Sequence, residues 1–418
     1  MKREFWGGIF LLCGLLSACS NKQSEIVELE IVRLAEAFEN QTELKASDCF
    51  SKVRYIALET SDSCLVGDNP LIRVAANRII VMTSHQQCLA FDKQTGKFLH
   101  SIGHVGDDPE ACQEMYGWLN DRDGLLYFPS ISQGKMTVYD LDGHFIRTQP
   151  EVLTPSKGSI CPTIYDYWNK DTLLVHSVAT EKTPDRIAFV RDTSVLFVFP
   201  TNCNLANDHM PRLGIATENL SITSKGTAGH MLYILLDEGK SSLVMRDNSS
   251  PFWHFGEDVF FKGNFNDTIY RVTPGGLKPD RLVDLGSYHW DVNDRYYGNK
   301  DNGFYLFDFF ENNQVILFTF CKNLYHEEKR VAYNAIYDKG LGKVMVAPFD
   351  DGLVNDIVNF LPLQPMTSNA NDEFAQLIQP VEIASWFEEH PEVRNLPDDV
   401  EQLRKLGEED NPVVVIMQ

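Results

Sequence analysis

Five times along the chain, a strand-like run is followed by a short polar turn and a second strand-like run. The segments are CLAFDKQTGKFLHSIG (Cys88 to Gly103), MTVYDLDGHFIRTQ (Met136 to Gln149), IAFVRDTSVLFVFP (Ile187 to Pro200), TIYRVTPGGLKPDRLVDLG (Thr268 to Gly286) and NAIYDKGLGKVMVAPF (Asn334 to Phe349). Each carries Asp or Gly in the turn and reads as a β-hairpin. A further pair of short strands precedes the first, second and last of them: Leu71 to Val74 with Arg78 to Met82, Met115 to Trp118 with Gly124 to Phe128, and Phe304 to Phe307 with Gln314 to Phe318. The repeating unit is therefore a four-stranded up-and-down meander. From Val53 to Val346 β-branched and aromatic residues dominate, punctuated by Gly, Asp, Asn and Pro, which is the composition of an all-β chain. Repeats of this length and content predict the blades of a β-propeller.

Closure depends on the ends. The chain finishes on NPVVVIMQ (Asn411 to Gln418), a strand with no hairpin partner after it, and the first strand of the body, Val53 to Leu58, has none before it. Placing both in one blade closes the ring and removes two raw edges. That blade is expected to use Val358 to Leu363 and Phe374 to Ile378 as well. The count is then six four-stranded antiparallel blades. A seven-bladed ring, with Asn204 to Asn248 as the extra blade, and a pair of β-sandwiches are the competing layouts. Glu382 to Leu406 reads as an outer helix broken at Pro391 and Pro397.

The opening MKREFWGGIFLLCGLLSACS has Lys2 and Arg3, then an apolar run from Phe5 to Leu16. That run suits a signal-peptide core and is too short to span a bilayer. It ends on Leu16-Ser17-Ala18-Cys19, which resembles a bacterial lipobox, with Cys19 as the lipidated first residue of the mature chain. Residues 1–18 are then a signal peptide, 19–49 a lipid-anchored tether with a short helix, and 50–418 the propeller. A lipid anchor holds such a domain at a membrane without spanning it. Ser20 is not the Asp that retains lipoproteins in the inner membrane, and Asn21 to Ser24 is not an acidic surface-export run. The expected location is the outer membrane, on its periplasmic side.

The formal net charge is −22. Such a surface repels phosphate backbones, so nucleic acid is not an expected partner. Of nine cysteines, Cys13 leaves with the signal and Cys19 takes the lipid. The odd number left has no CxxC spacing, which signals neither a zinc site nor a complete disulfide framework. Cys49 and Cys64 could pair in an oxidising periplasm, against the common state of free buried thiols.

FSKVRYIALET (Phe50 to Thr60), AFDKQTGKFLHSIGHVGDDPEA (Ala90 to Ala111), FNDTIYRV with GLKPDRLVDLG (Phe265 to Gly286), AIYDKGLGKV (Ala335 to Val344) and the terminal NPVVVIMQ resemble the six-bladed β-propeller lipoproteins of Bacteroidetes. The resemblance runs in order over nearly the whole mature chain. It implies the fold and the lineage, and no settled activity, because that family is largely uncharacterised. Its members commonly read Gly-x-Gly-Pro-Gly-Glu-Tyr after the first blade. Here Gly106 and Pro109 remain, while Asp108, Glu110, Ala111 and Cys112 stand at the other matched positions, which leaves any role of that Glu-Tyr pair unsupported.

Strand parity nominates a site. With each blade's strands lettered A to D in chain order, the B–C loop and the link from D to the next A leave from the same end. His104, Asp107, Asp108 and Glu110 lie in one such link, and Asn264, Asn266 and Asp267 in a B–C loop. Tyr288, His289, Trp290, Asp291, Arg295 and Tyr296 lie in another link. Aromatics beside Asp, Asn and Arg suit a polar ligand with apolar faces, such as a sugar; a loop folded on its own aromatics is the bland alternative. Catalytic signatures are weak: no GxSxG, HExxH, P-loop or Ser-x-Asp-x-Gly-x-Thr box is present. His326-Glu327-Glu328 could ligate a metal but reads better as a solvated charged loop, and Asp107, Asp108 and Glu110 could pair as acid and base or bind Ca²⁺, with no spacing that marks either. No metal or cofactor is expected. The sequence thus points to a lipid-anchored module that binds a glycan, a peptide or a partner envelope protein. A glycan-acting hydrolase or lyase at the channel mouth and a structural scaffold are the alternatives.

Overall fold

The structure is a computed structural model. It describes residues 29–67, 70–130, 133–152, 163–177, 185–201, 250–294, 303–324 and 326–418, and the backbone of 216–221, 231–237 and 240–246. Six antiparallel blades form a ring. Blade 1 is Leu71–Val74, Arg78–Thr83, Gln87–Asp92 and Phe98–Ser101. Blade 2 is Trp118–Asn120, Leu125–Ser130, Lys135–Asp140 and Phe145–Pro150. Blade 3 is Thr163–Asn169, Thr172–Ser177, Arg186–Arg191 and Ser194–Pro200. Blade 4 is Phe252–Phe255, Asp258–Phe261, Thr268–Thr273 and Gly276–Val283. Blade 5 is Phe304–Glu311, Val315–Lys322, Val331–Asp338 and Lys343–Pro348. The five hairpins read from the sequence are the C–D pairs of these blades.

Blade 6 closes the ring. Its strands from the channel outwards are Thr367–Ser368, Phe374–Ile378, Val413–Met417 and, from the other end of the chain, Val53–Ala57. Val53 pairs with Met417 and Ala57 with Val413. One expectation is corrected. Phe360–Leu363 pairs with Leu353–Asn355 in a separate two-stranded ribbon, and the inner strand is the much shorter Thr367–Ser368.

The ring is held by six apolar layers, one between each pair of neighbouring blades. Side chains alternate along a strand, so successive residues feed different layers. Ile79 and Val81 pack towards blade 6, while Ile80 and Met82 pack towards blade 2. Val315 and Leu317 face blade 6, and Ile316 and Phe318 face blade 4. Both faces of a central strand are covered, which is why these strands read as unbroken apolar runs. Blades 3 and 4 share a layer of Leu174, Ile187, Phe189, Val259 and Phe261. They touch directly, so the sheet of Ala216–Ser221, Met231–Asp237 and Lys240–Arg246 stands apart from the ring, and the seven-bladed layout fails.

The expected tether is folded from Glu30 onwards. Glu30–Val32 adds a parallel strand to the outer edge of blade 4, with Val32 opposite Val283. The helix Leu34–Glu39 then buries Leu34 and Ala37, and Phe38 meets Phe304 edge-on at 4.9 Å. Leu44, Ala46 and Cys49 continue into the layer between blades 5 and 6. The physical reason is edge protection: apolar Val32, Leu34 and Phe38 cover strands that would otherwise offer free N–H and C=O groups.

The C-terminal helical segment lies outside blade 6 as Pro380–Glu389, Asp398–Glu401 and the 3₁₀ turn Gln402–Lys405. Pro380 starts the first helix at a position where its missing N–H costs nothing. Asp399 accepts the outward N–H of Tyr55 at 3.0 Å and so caps that edge strand. Cys49 and Cys64 are both free thiols, because they lie in different layers of the ring. Among the described residues, no helix is long and apolar enough to cross a membrane.

Candidate functional site

The corner KGNFNDT (Lys262 to Thr268) links strands B and C of blade 4. Asn266 Oδ1 accepts the backbone N–H of Thr268 at 3.0 Å, and Asn266 Nδ2 donates to the Tyr270 hydroxyl at 3.3 Å. The Asp267 carbonyl accepts from the N–H of Val283 at 2.8 Å, and Asn264 is exposed. Phe265 takes a left-handed φ of +56°, unusual for a bulky residue. Its ring is clamped edge-on by Trp290 at 5.1 Å and by Tyr305 at 5.5 Å.

The link from blade 4 to blade 5 meets this corner. His289 Nδ1 bonds Asp267 Oδ2 at 2.5 Å. Trp290 is only 2% exposed and packs in an apolar cluster with Phe265, Tyr305 and Phe307. A Cβ on Gly303 would lie 2.4 Å from that of Trp290, so this close approach requires glycine. Trp290 is a core residue here and presents no open aromatic platform. Tyr288 stacks on Phe304 at 4.4 Å and gives its hydroxyl to Glu39, which fastens the N-terminal helix. Asp291 is exposed, and Arg295 and Tyr296 lie outside the described residues.

In the link from blade 1 to blade 2, His104 Nε2 bonds Asp108 Oδ2 at 2.6 Å, and Asp108 Oδ1 accepts the N–H of Glu110 at 3.0 Å. The hydrogen bond from His104 holds the Asp108 carboxyl below its ordinary range. Asp107 and Glu110 are exposed. Cys19 lies outside the described residues. All three loops do lie on one face, as parity requires. Many of their described polar groups are settled within the loops, however, and none of the described nominated residues lines the channel cavity.

The channel holds a cavity of about 230 Å³, lined from all six blades by their inner strands and the flanking residues. Each inner strand pairs only with the next strand of its own blade. Its other edge therefore points backbone N–H and C=O groups inwards, and these need partners. Between them stand Arg73, Asp121, Asp166, His254 and Asp308, with Trp118, Tyr167, Phe309 and Phe310 as aromatic wall. Several of these lie near the A–B turns, at the opposite end from the nominated loops.

Two tight relays cross this end. Asp166 Oδ1 bonds His254 Nε2 at 2.8 Å and so joins blades 3 and 4. The Tyr167 hydroxyl donates to Asp121 Oδ1 at 2.5 Å, and Asp121 Oδ2 accepts the N–H of Ala370 at 2.5 Å. Blades 3, 2 and 6 are thereby linked. The rings of Tyr167 and His254 stack at 4.0 Å. Burial, and next the Asp121 carboxylate, push the Tyr167 hydroxyl pKa well up, so it stays a donor.

Arg73 is the channel's lone described cation. Its Nη1 donates to the carbonyl of Ile72 at 2.8 Å. Burial pulls its pKa below the ordinary value, while Asp166 and Asp308 act in the opposite sense from a distance; a guanidinium remains charged under such pressure. Asp308 reaches the channel through a β-bulge. Phe307 pairs with Thr319 but Phe310 with Leu317, so one extra residue is inserted, and Asp308 takes a φ of +51°. Asp tolerates that left-handed conformation better than most residues, and bulges commonly re-aim a side chain. Among the described residues, no group of three His, Cys, Asp or Glu is placed to hold a metal ion.

Sequence reasoning missed these residues because none sits in a motif. The available signal was positional: the first strand of each blade must line the channel, and Arg73, Asp166, His254 and Asp308 are among the ionisable residues on those strands.

Comparison with known proteins agrees with the architecture. A solved structure described as a candidate exported protein from Bacteroides fragilis superposes with a TM-score of 0.56 at 16% identity, over 93% of this chain and 99% of that one. A DUF4221 family member from Bacteroides vulgatus matches at a TM-score of 0.44 and 8% identity, over 90% of this chain and 98% of that one. No match is found among curated proteins. The model of a domain of unknown function, DUF4934, matches residues 29–418. That span is the whole described ring with its docked N-terminal strand, and the chain belongs to the DUF4934 family.

Proposed function

We propose that this protein is a lipid-anchored envelope module that binds a ligand at the A–B end of its central channel and performs no chemistry on it. The observation that carries this is the cavity itself: open space, bounded by all six inner strands, holding a cation and carboxylates between aromatic walls. A scaffold would gain stability by plugging the channel with side chains, whereas the described residues leave about 230 Å³ open there.

An enzyme on this fold would aim two or three ionisable groups at one point. His254 with Asp166 and Tyr167 with Asp121 come within hydrogen-bond reach, but each pair spends its atoms on itself. The remaining ring nitrogen of His254, Nδ1, is shut away from solvent. That favours positioning over proton transfer. Filling the cavity tests the idea. Ser368→Trp should abolish capture of envelope-derived glycans or peptides by the immobilised chain, with an unchanged melting temperature. Equal capture by this variant would move the site elsewhere.

The anchor rests on the lipobox, and the exported character assigned to the Bacteroides fragilis neighbour supports an envelope location. Ten residues lie between Cys19 and the docked strand at Glu30. Even fully extended they reach roughly 40 Å, so a lipid on Cys19 would hold the ring close to the bilayer, taken here as the periplasmic side of the outer membrane. Cys19→Ala should shift the protein from the detergent-extracted to the aqueous fraction; persistence with the membranes would sink the anchor.

A further inference from the structure

We infer that the A–B turn of blade 2, residues 121–124, is a latch across the A–B mouth of the channel, and that it lifts to admit a ligand to the cavity. This rests on the channel being the binding site, and goes further by naming what controls access to it. The turn bonds to two blades that are not its neighbours. Asp121 Oδ2 accepts the N–H of Ala370 at 2.5 Å, in the A–B turn of blade 6. Arg122 Nη2 donates to the carbonyl of Gly256, and its Nη1 bonds Glu257 Oε2 at 3.2 Å, both in the A–B turn of blade 4.

Blade 1 separates blade 2 from blade 6, and blade 3 separates it from blade 4. A bond between alternate blades runs inside the blade that it skips, and so across the end of the channel. On the way to blade 4 the turn also meets the blade between. The Arg122 guanidinium lies 5.8 Å from the centre of the Tyr167 ring, within the range of a cation–π contact. The Tyr167 hydroxyl donates to the other carboxylate oxygen of Asp121 at 2.5 Å. Asp121, Tyr167 and Ala370 all line the cavity, so this chain of bonded groups is the cavity's wall at its A–B end.

The turn is stiff in itself and meets a fixed partner, so the freedom lies in the joints. Within it, Asn120 Nδ2 donates to Asp123 Oδ2 at 2.9 Å, and the N–H of Asp123 donates to Asn120 Oδ1 at 3.1 Å. The receiving turn of blade 6 is held by Asn369, which donates to the carbonyl of Val74 at 3.2 Å and to Glu373 at 2.7 Å. The joint to blade 4 includes the Glu257 side chain, which is 96% exposed, and an ion pair so exposed adds little. The joint to blades 3 and 6 is firmer, because hydrogen bonds to a carboxylate are roughly twice as strong as neutral ones. Asp121, Arg122 and Ala370 are only half-buried. Water can take over their polar groups when the turn lifts, and no charge is stranded in an apolar layer. These are the properties of a closure that holds at rest and opens without unfolding the ring.

A reporter thiol tests the latch without the ligand. Ser368→Cys places a thiol on the inner strand of blade 6, in the cavity wall. The full mature chain is treated with iodoacetamide, and alkylation at position 368 is followed by peptide mass spectrometry. On this background Asp121→Asn exchanges one acceptor oxygen for a donor and loses one of the two bonds, and Arg122→Ala removes the joint to blade 4. Asp121→Asn should raise the alkylation rate roughly tenfold, the weight of one hydrogen bond to a charged group. Arg122→Ala should raise it by a smaller factor. The buried native thiols of Cys88 and Cys321 serve as controls. A rate at position 368 that neither variant changes would overturn the latch. So would an equal rise at Cys88 and Cys321, which would mean that the whole ring loosens. The reporter reads access and not binding, so the two readings fail separately: capture that survives Ser368→Trp would remove the channel as the binding site and leave the latch standing.

Discussion

Removing Asn411–Gln418 is expected to abolish cooperative unfolding. Val413–Met417 is hydrogen-bonded on both sides, to Phe374–Ile378 and to Val53–Ala57. All five of its side chains are buried, and they feed both layers that flank blade 6. At about 1.5–3 kcal/mol for each buried aliphatic side chain, the strand's apolar contribution is on the order of 10 kcal/mol. That is comparable with the whole stability of a typical domain. Asn411 adds to the loss, since its side chain holds Val66 N, Glu59 O and Cys64 O at 2.9, 2.6 and 2.7 Å. The truncated chain should show a broad, non-cooperative thermal profile by circular dichroism. A sharp transition at the parent temperature would mean that the ring does not depend on its shared blade.

The second large effect is expected at the junction of blades 6 and 1. Lys93 Nζ donates to Glu373 Oε2 at 2.6 Å and to the carbonyls of Ala75 and Ala76 at 3.1 and 3.0 Å. Glu373 also accepts from Asn369 at 2.7 Å and Gln418 at 3.0 Å. Both charged side chains are under a tenth exposed. Glu373→Ala strands the ammonium without its anion, which costs about 3–5 kcal/mol for a buried pair. Replacing both partners by apolar residues, Lys93→Met with Glu373→Leu, should recover most of that loss, because no unpaired charge remains. Chemical denaturation of the three proteins checks the sign. A single variant as stable as the parent would show that water replaces the carboxylate at this junction.

The architecture was legible because it is written in periodicity. Hairpins such as Cys88 to Gly103 carry their turn residues at fixed places, and the unpaired runs at Val53 and Val413 announce each other. What stayed hidden depends on packing. The Glu30–Val32 strand is too short and too polar at Glu30 to stand out from a tether, and only its place beside Val283 makes it part of the ring. Among the nominated loop aromatics, Trp290 misled for the same reason. Trp290 looks like a platform in sequence, yet it fills a gap beneath Phe265. Conversely, Arg73 looks like a strand residue flanked by Ile72 and Val74, and its character comes from the groups that other blades bring to it.

The ring's closure also sets an order of events during synthesis. Val53–Ala57 is among the first strands of the ring to be made, and its hydrogen-bonding partner Val413–Met417 is the last. Until the final residues arrive, the early strand carries apolar side chains and an unpaired backbone edge, the kind of surface that draws in other chains. Forming that contact also closes a loop of nearly the full chain, and such long-range pairing is characteristically slow. An interrupted chain would therefore be marked as unfinished by its own first strand, which gives a chaperone or protease a direct way to tell it from a completed molecule.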